Sequence, residues 1–395
     1  MTEQSPSPEA RSHPAARDPS RVHWMELFFD LVFVAFVGQL AHGIHGDPGW
    51  MQFGTFVLLF FPAWWAWVNI VSVINLLPGL SSRGLGLAML AAMASASVMA
   101  AAAPEAFGER AWAFSLANAA MRTILLILWL YRSRQISQKT PARIWVYNGG
   151  TALLWFVAAF FPLETAVVLW AFAILVEVAM VAAGGRLWAE RGVGNINIEH
   201  AAERLGLFVI IVMGESVFTI VTELSAVWDP GAGLVSGLGF LVVALLGWAF
   251  FQYGAPLVSE GLERLQSRHD FSGILQTTLF MPFLLVAGVT AIAAAIATAI
   301  PAPFEPLPLG SAISLGGGLS LFYLTNTVVS LRYGNPLGYL LPWSIPSVLI
   351  SLVLMPVGVA VPAAVVLAFA AAMLVLVTAY VELQHRRHGH VQPSS

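Results

Sequence analysis

The chain of 395 residues is 58% hydrophobic and only 10% charged, with a mean hydropathy of +0.79. Soluble domains carry about 25% charged residues, so this composition belongs to a polytopic membrane protein and leaves no room for a soluble domain of useful size. The net charge of −3 is uninformative by itself, but the absence of Cys excludes disulfides, thiolate metal sites and cysteine nucleophiles. The single Lys, Lys139, falls in a polar loop, which excludes a retinal-type Schiff base inside the bilayer.

Residues 1–22 are polar and Pro-rich, with Arg11, Arg17 and Arg21 and no apolar core, so a disordered tail is expected rather than a cleaved signal peptide. A spanning helix needs about 20 apolar residues. Candidate spans fall near 24–45, 51–75, 84–103, 108–131, 143–162 and 164–185, then near 203–224, 232–257, 272–300, 307–331, 338–357 and 360–383. The last break has no charge, but a helix running unbroken from 338 to 383 would be about 69 Å long, over twice the hydrocarbon thickness. The expected fold is therefore all-α, a polytopic membrane bundle of about 12 transmembrane helices.

Charge supports the even number. Sixteen of the 18 Arg and Lys residues, counting Arg204 at the mouth of the seventh span, fall in the tails or in the loops on one side, whereas Arg110 falls on the other and Arg122 inside a span. By the positive-inside rule both termini are expected in the cytoplasm of a bacterial inner membrane.

A weak repeat appears at half-length. His23-x-x-Glu26 followed by Gly38-Gln39 resembles His200-x-x-Glu203 followed by Gly214-Glu215, and Trp65-Ala-Trp67 echoes Trp248-Ala-Phe250. Two parallel six-helix repeats, 23–202 and 203–384, would follow, with a second tail at 385–395.

Polar residues inside spans are functional-site candidates because an acid there costs roughly 2.5–3.5 kcal/mol on insertion scales. Glu26 and Asp30 are four residues apart and share a helix face, with Asp30 about 9 Å into the first span. Glu215 falls near the midplane of the seventh span, Arg122 midway along the fourth, and Glu177 in the inner half of the sixth. One reading is a substrate or ion pathway through Asp30, Glu215, Arg122 and Glu177, with Arg122 as counter-ion to the acids. The other is that these groups pair only to set helix register. Glu26 and Glu203 are expected nearer the interface, capping or pairing with Arg21 and Arg204. The two His-x-x-Glu pairs have metal-compatible spacing but interfacial positions, so no metal is expected. His42 and His45 are candidates for a proton relay or a wetted interfacial role.

Trp64, Trp65 and Trp67 suit either an aromatic belt or a cation–π wall beside Arg122. Ser314-Leu-Gly-Gly-Gly-Leu-Ser320 in the tenth span and Pro282 in the ninth read as helix breaks at a binding site or as close packing. Close packing is the expectation for Gly233-x-x-x-Gly237. No nucleotide loop, zincin motif or nucleophile elbow is present, so neither an enzyme nor a cofactor is expected.

Trp24-Met-Glu-Leu-Phe-Phe-Asp-Leu-Val-Phe-Val34, together with the block from His200 to Ser216, resembles the bacterial low temperature requirement protein A family. The resemblance implies a multi-span inner-membrane protein. It marks Glu26, Phe28, Phe29, Asp30, His200, Glu203, Arg204, Gly214, Glu215 and Ser216 as motif positions without giving them a chemical role. The function expected from the residues is a proton- or cation-coupled secondary transporter; the alternative is a non-transporting sensor or scaffold. The expected partners are the lipid bilayer and a small solute or ion, with no nucleic acid. Substrate and oligomeric state are left open.

Overall fold

The computed structural model describes residues 24–75, 82–135, 142–189, 198–270, 273–274 and 276–389. His23, Arg21 and the tail 1–22 lie outside them, as does the C-terminal tail beyond Gly389. Twelve helical segments follow one another among the described residues. The first six are α1 (Trp24–His42), α2 (Trp50–Asn75), α3 (Ser82–Ala102), α4 (Ala111–Gln135), α5 (142–158) and α6 (Leu163–Ala189). The second six are α7 (Ile198–Val227), α8 (Pro230–Ser267), α9 (Gln276–Ala299), α10 (Leu309–Arg332), α11 (Leu337–Gly358) and α12 (Ala363–Gly389). Extended structure among the described residues is confined to an isolated bridge, Pro306 to Pro362.

Eleven of these helices are long and apolar enough to cross a membrane. The exception is α5, where a π-turn at Trp145–Gly150 separates the short helix Ala142–Ile144 from Thr151–Ala158. At 1.5 Å per residue α5 is about 25 Å long, slightly under the hydrocarbon thickness. Two more π-turns open α9 (Gln276–Phe280) and interrupt α8 (Phe250–Gly254). Beyond its π-turn α8 continues as an amphipathic stretch to Ser267, about ten residues past the expected end.

The loops tie the ends of the two sets of helices together. Asp47, between α1 and α2, caps α10 by accepting from the Gly310 amide at 2.7 Å. Gly46 donates to Thr298 Oγ1 of α9 at 2.9 Å and accepts from Ser311 Oγ at 2.6 Å. The α9–α10 and α11–α12 loops are joined by Leu307 N to Gly358 O and Ala363 N to Glu305 O. All of these contacts lie at one end of the bundle, where α1, α9 and α11 finish and α2, α10 and α12 begin.

Helix contacts follow one order in each set: α1 packs on α2 and α3, then α3 on α4, α4 on α5 and α5 on α6. In the second set α7 packs on α8 and α9, then α9 on α10, α10 on α11 and α11 on α12. The two first helices, α1 and α7, cross each other, and α9 is the most enclosed of the spans.

Lipid is as apolar as a protein core, so helices associate through close packing and polar contacts rather than through hydrophobic burial. Of the two readings of Ser314–Ser320, close packing is the one the structure takes: α10 runs continuously, and its glycines serve close approach. A Cβ on Gly318 would lie 2.6 Å from the Gly288 carbonyl of α9, and one on Gly316 would lie 2.5 Å from the Ser351 carbonyl of α11. Pro282 falls in the first turn after a π-turn, where its missing N–H is tolerated. The expectation for α8 is corrected. Gly233 and Gly237 have no neighbour within 4 Å of a Cβ position, and it is Gly239 that meets Ile296, at 2.4 Å. Gly233-x-x-x-Gly237 faces away from the bundle, one helical face from the packed seam.

This packing gives a contrast. Gly318→Val is expected to destabilise the protein by about 1–3 kcal/mol through overpacking, whereas Gly237→Val is expected to leave thermal unfolding in detergent unchanged. Equal losses from both would contradict the placement of the seam.

Candidate functional site: two buried ion-pair clusters and a half-buried glutamate

α1 turns Met25, Glu26, Phe29, Asp30 and Phe33 toward the bundle, a spacing of three and four residues that defines one helix face. α7 offers the complementary pattern: His200 and Arg204 are also one turn apart, and both are buried. Where the helices cross, the two pairs meet. Arg204 Nη2 donates to Asp30 Oδ1 at 2.5 Å, and Arg204 Nη1 lies 3.3 Å from Glu26 Oε2. His200 Nε2 sits 3.1 Å from the same Glu26 oxygen. Trp67 of α2 closes the cluster by donating from Nε1 to Asp30 Oδ1 at 2.7 Å. The guanidinium also lies 5.9 Å from the Trp67 ring and 6.0 Å from that of Phe29, within cation–π range.

The cluster is fully enclosed, since Asp30 and Arg204 are each 0% exposed. It is also incompletely bonded: Asp30 Oδ2 and Arg204 Nε have no hydrogen-bond partner in the protein. Two carboxylates face one guanidinium, and the His200 ring completes the cluster against Glu26.

The second cluster is saturated by comparison. Arg122 of α4 grips Glu177 of α6 with a two-pronged pair, Nε to Oε1 at 3.0 Å and Nη2 to Oε2 at 3.2 Å. This fork geometry is the strongest form of the pair. Nη1 donates to Asn118 Oδ1 at 3.0 Å and Nη2 to the Pro62 carbonyl of α2 at 3.1 Å. The Trp155 ring lies 5.6 Å from the guanidinium. Beside it Tyr147, on the π-turn of α5, accepts hydrogen bonds from Trp65 Nε1 and from Asn69 Nδ2.

Arg122 is therefore not the counter-ion of Asp30 or Glu215. Each buried arginine has its own acid: Arg204 meets Asp30 and Glu26 of α1, and Arg122 reaches Glu177 of α6. Trp67 flanks Arg204, while the ring beside Arg122 is Trp155. Glu26, expected at the interface, is buried at 5% exposure, and Glu203 is the exposed member of its turn. Arg204, read from sequence only as a pairing partner for an interfacial acid, is the residue that joins α1 to α7.

Glu215 stands apart from both clusters. It is half-buried where α7 crosses α1, and its carboxylate rests on the bare backbone of Gly38. A Cβ on Gly38 would fall 2.5 Å from Glu215 Oε1, so only glycine fits there. Among the described residues no Arg or Lys lies within ion-pair distance of it, and its electrostatic neighbour is His42. His42 Nδ1 donates to the Gly38 carbonyl at 2.9 Å, and its ring stacks on His45 with centroids 4.9 Å apart. His45 lies beyond the end of α1; burial and then the nearby His42 lower its pKa to about 4.

The remaining motif positions have plainer places. Phe29 packs under Arg204, Phe28 and Gly214 face outward, and Ser216 Oγ donates to the Val212 carbonyl of its own helix. Among the described residues no group of three His, Asp or Glu side chains is gathered as a metal site would require.

The motif blocks are thus the two faces of the α1–α7 junction. Residues 21–379 match the family described as Bacterial low temperature requirement A protein (LtrA). The chain belongs to this family. An uncharacterised protein of Rhizobium meliloti is 29% identical to this LtrA-family chain over 315 residues, covering 77% of this chain and 76% of the relative. No solved structure matches.

The Arg122–Glu177 geometry sets a stability prediction. Removing one partner of a buried pair leaves an uncompensated charge, a loss of about 3–5 kcal/mol, whereas removing both is far milder. Arg122→Gln is expected to lower the melting temperature in detergent sharply, and Arg122→Gln with Glu177→Gln to recover most of the loss. A double variant worse than the single one would contradict a private pair.

Proposed function

We propose that this LtrA-family membrane protein is a secondary transporter of the bacterial inner membrane, coupled to a proton or cation at Glu215. The observation that carries the reading is the contrast among the intramembrane acids. Asp30, Glu26 and Glu177 are held by guanidinium groups, whereas Glu215 lies against glycine backbone with an imidazole one turn outward. An acid without a fixed counter-ion binds and releases a cation without first breaking an ion pair. His42 and His45 would lead a proton from the outer surface toward it.

In this reading both termini are cytoplasmic and the chain is two parallel six-helix halves. The matching order of helix contacts in the two sets supports the repeat. Glu215 would then sit where the first helix of each half crosses the other, an interface that alternating access must rearrange. The Asp30–Arg204 cluster, with an unbonded oxygen and nitrogen, would act as the latch between halves, and Arg122–Glu177 would brace the first half.

The enclosure of both ion-pair clusters favours a second reading, a non-transporting scaffold in which buried charge only sets helix register. A flux experiment separates the two. In proteoliposomes with an imposed pH gradient, wild-type protein is expected to collapse the gradient in the presence of a transported solute. Glu215→Gln is expected to abolish that flux while keeping the wild-type melting temperature. Absence of flux with any solute in wild-type vesicles, or wild-type flux in Glu215→Gln, would favour the scaffold or remove Glu215 from the coupling role.

A further inference from the structure

A pocket of about 120 Å³ lies between α8, α10, α11 and α12, in the half of the bundle where α8 and α10 end, remote in sequence and in helix contacts from the Arg122 cluster. Aromatic side chains contribute to its lining beside aliphatic and polar ones: Tyr253 from the π-turn of α8, Phe322 and Tyr323 from α10, and Tyr339 and Trp343 from α11. Phe322 and Tyr323 meet edge-on at 5.6 Å, and Tyr323 tilts against Trp343 at 6.4 Å, so the rings line adjoining sides of one space. The π-turn matters here. The extra residue in the turn displaces Tyr253 from the regular helix face, and such turns recur at binding sites.

The charged group nearest the pocket bears on the sign of the ligand. Asn326 lines the pocket and donates one of its two amide hydrogens to the Phe322 carbonyl at 2.8 Å, so its side chain can still accept or donate to a ligand of either sign. The Tyr253 hydroxyl donates to Glu382 Oε2 of α12 at 2.8 Å, placing a carboxylate just behind the wall. Among the described residues that line the pocket none is basic. Anions find no cationic donor there. Ca²⁺ and Mg²⁺ take six or more oxygen ligands, and among the described residues no metal-holding cluster of His, Asp or Glu is gathered. Ring faces and a carboxylate at one remove attract a cation with an apolar surface.

We propose that this pocket binds a small organic cation of the quaternary ammonium type. The size agrees, since a cavity of roughly 150 Å³ holds a benzene-sized molecule. Tyr323, Trp343 and Tyr339 would supply the aromatic contacts, with the Glu382 carboxylate that accepts from Tyr253 just behind them. The site stands whether or not Glu215 carries a coupled ion, because it requires binding and not transport.

The test compares choline with its uncharged carbon isostere, 3,3-dimethylbutan-1-ol, on the purified full-length protein, reading melting temperature and tryptophan fluorescence. Choline is expected to raise the melting temperature and to change the fluorescence saturably, while the isostere does neither. Trp343→Leu and Tyr339→Leu are each expected to weaken choline binding at least tenfold, and Glu382→Gln to weaken it by a similar factor. Tyr339, which is half-buried, provides the aromatic test if the Trp343 variant fails to fold. Equal binding of the isostere would show an apolar pocket and overturn the proposal. So would an absence of any choline effect, or choline binding that survives both aromatic substitutions.

Discussion

The structure depends on one buried guanidinium. Arg204 reaches from α7 to two carboxylates on α1, and a tryptophan from α2 fastens to the same Asp30 oxygen. Placing three charged side chains where water is excluded is unfavourable by several kcal/mol per ion unless each finds its partner. The requirement for mutual compensation makes α1 and α7 adopt one register. A slip of either helix by one residue would turn Glu26 and Asp30 away from Arg204. Ordinary interhelical hydrogen bonds in membranes contribute about 0.6 kcal/mol on average, so it is this charge network, more than the polar contacts around it, that specifies how α1 meets α7.

That junction also positions Glu215. Once the register is set near Asp30, the next turns of the two helices bring Gly38 under the Glu215 carboxylate, and His42 follows one turn later. The motif Gly38-Gln39 therefore has a steric reason at its first residue. Asp30 and Glu215 occupy contrasting places on this junction: Asp30 is held by an arginine and a tryptophan, whereas Glu215 lies against backbone and imidazole.

Much of this was legible in the sequence. Length and apolar runs defined the helices, because the bilayer dictates their size, and the uncharged turn before α12 followed from the same constraint. Glu26 with Asp30 and His200 with Arg204 are matched four-residue pairs of complementary charge, a signal sufficient to predict the junction had the two been set side by side. The partner of Arg122 was harder to read. Depth along separate spans does not say which helices touch, and Glu177 lies on α6, which reaches α4 through the bundle. Glycine patterns misled for a related reason. Gly233 and Gly237 share the spacing of a packing motif, but which face of α8 meets α9 is set by the whole bundle, and that face carries Gly239. The π-turns leave no mark in apolar periodicity, so the aromatic pocket beside Phe250–Gly254 was invisible before the helices were assembled.

The most direct measurement is the coupling free energy between Asp30 and Arg204 from a double-mutant cycle, using Asp30→Asn, Arg204→Gln and their combination in reversible unfolding. A junction held by this pair predicts strong non-additivity, a coupling above about 2 kcal/mol, as for contacting residues within one buried network. Additive losses, with coupling near zero, would mean that α1 and α7 are held by packing alone and that Arg204 is not the organising charge.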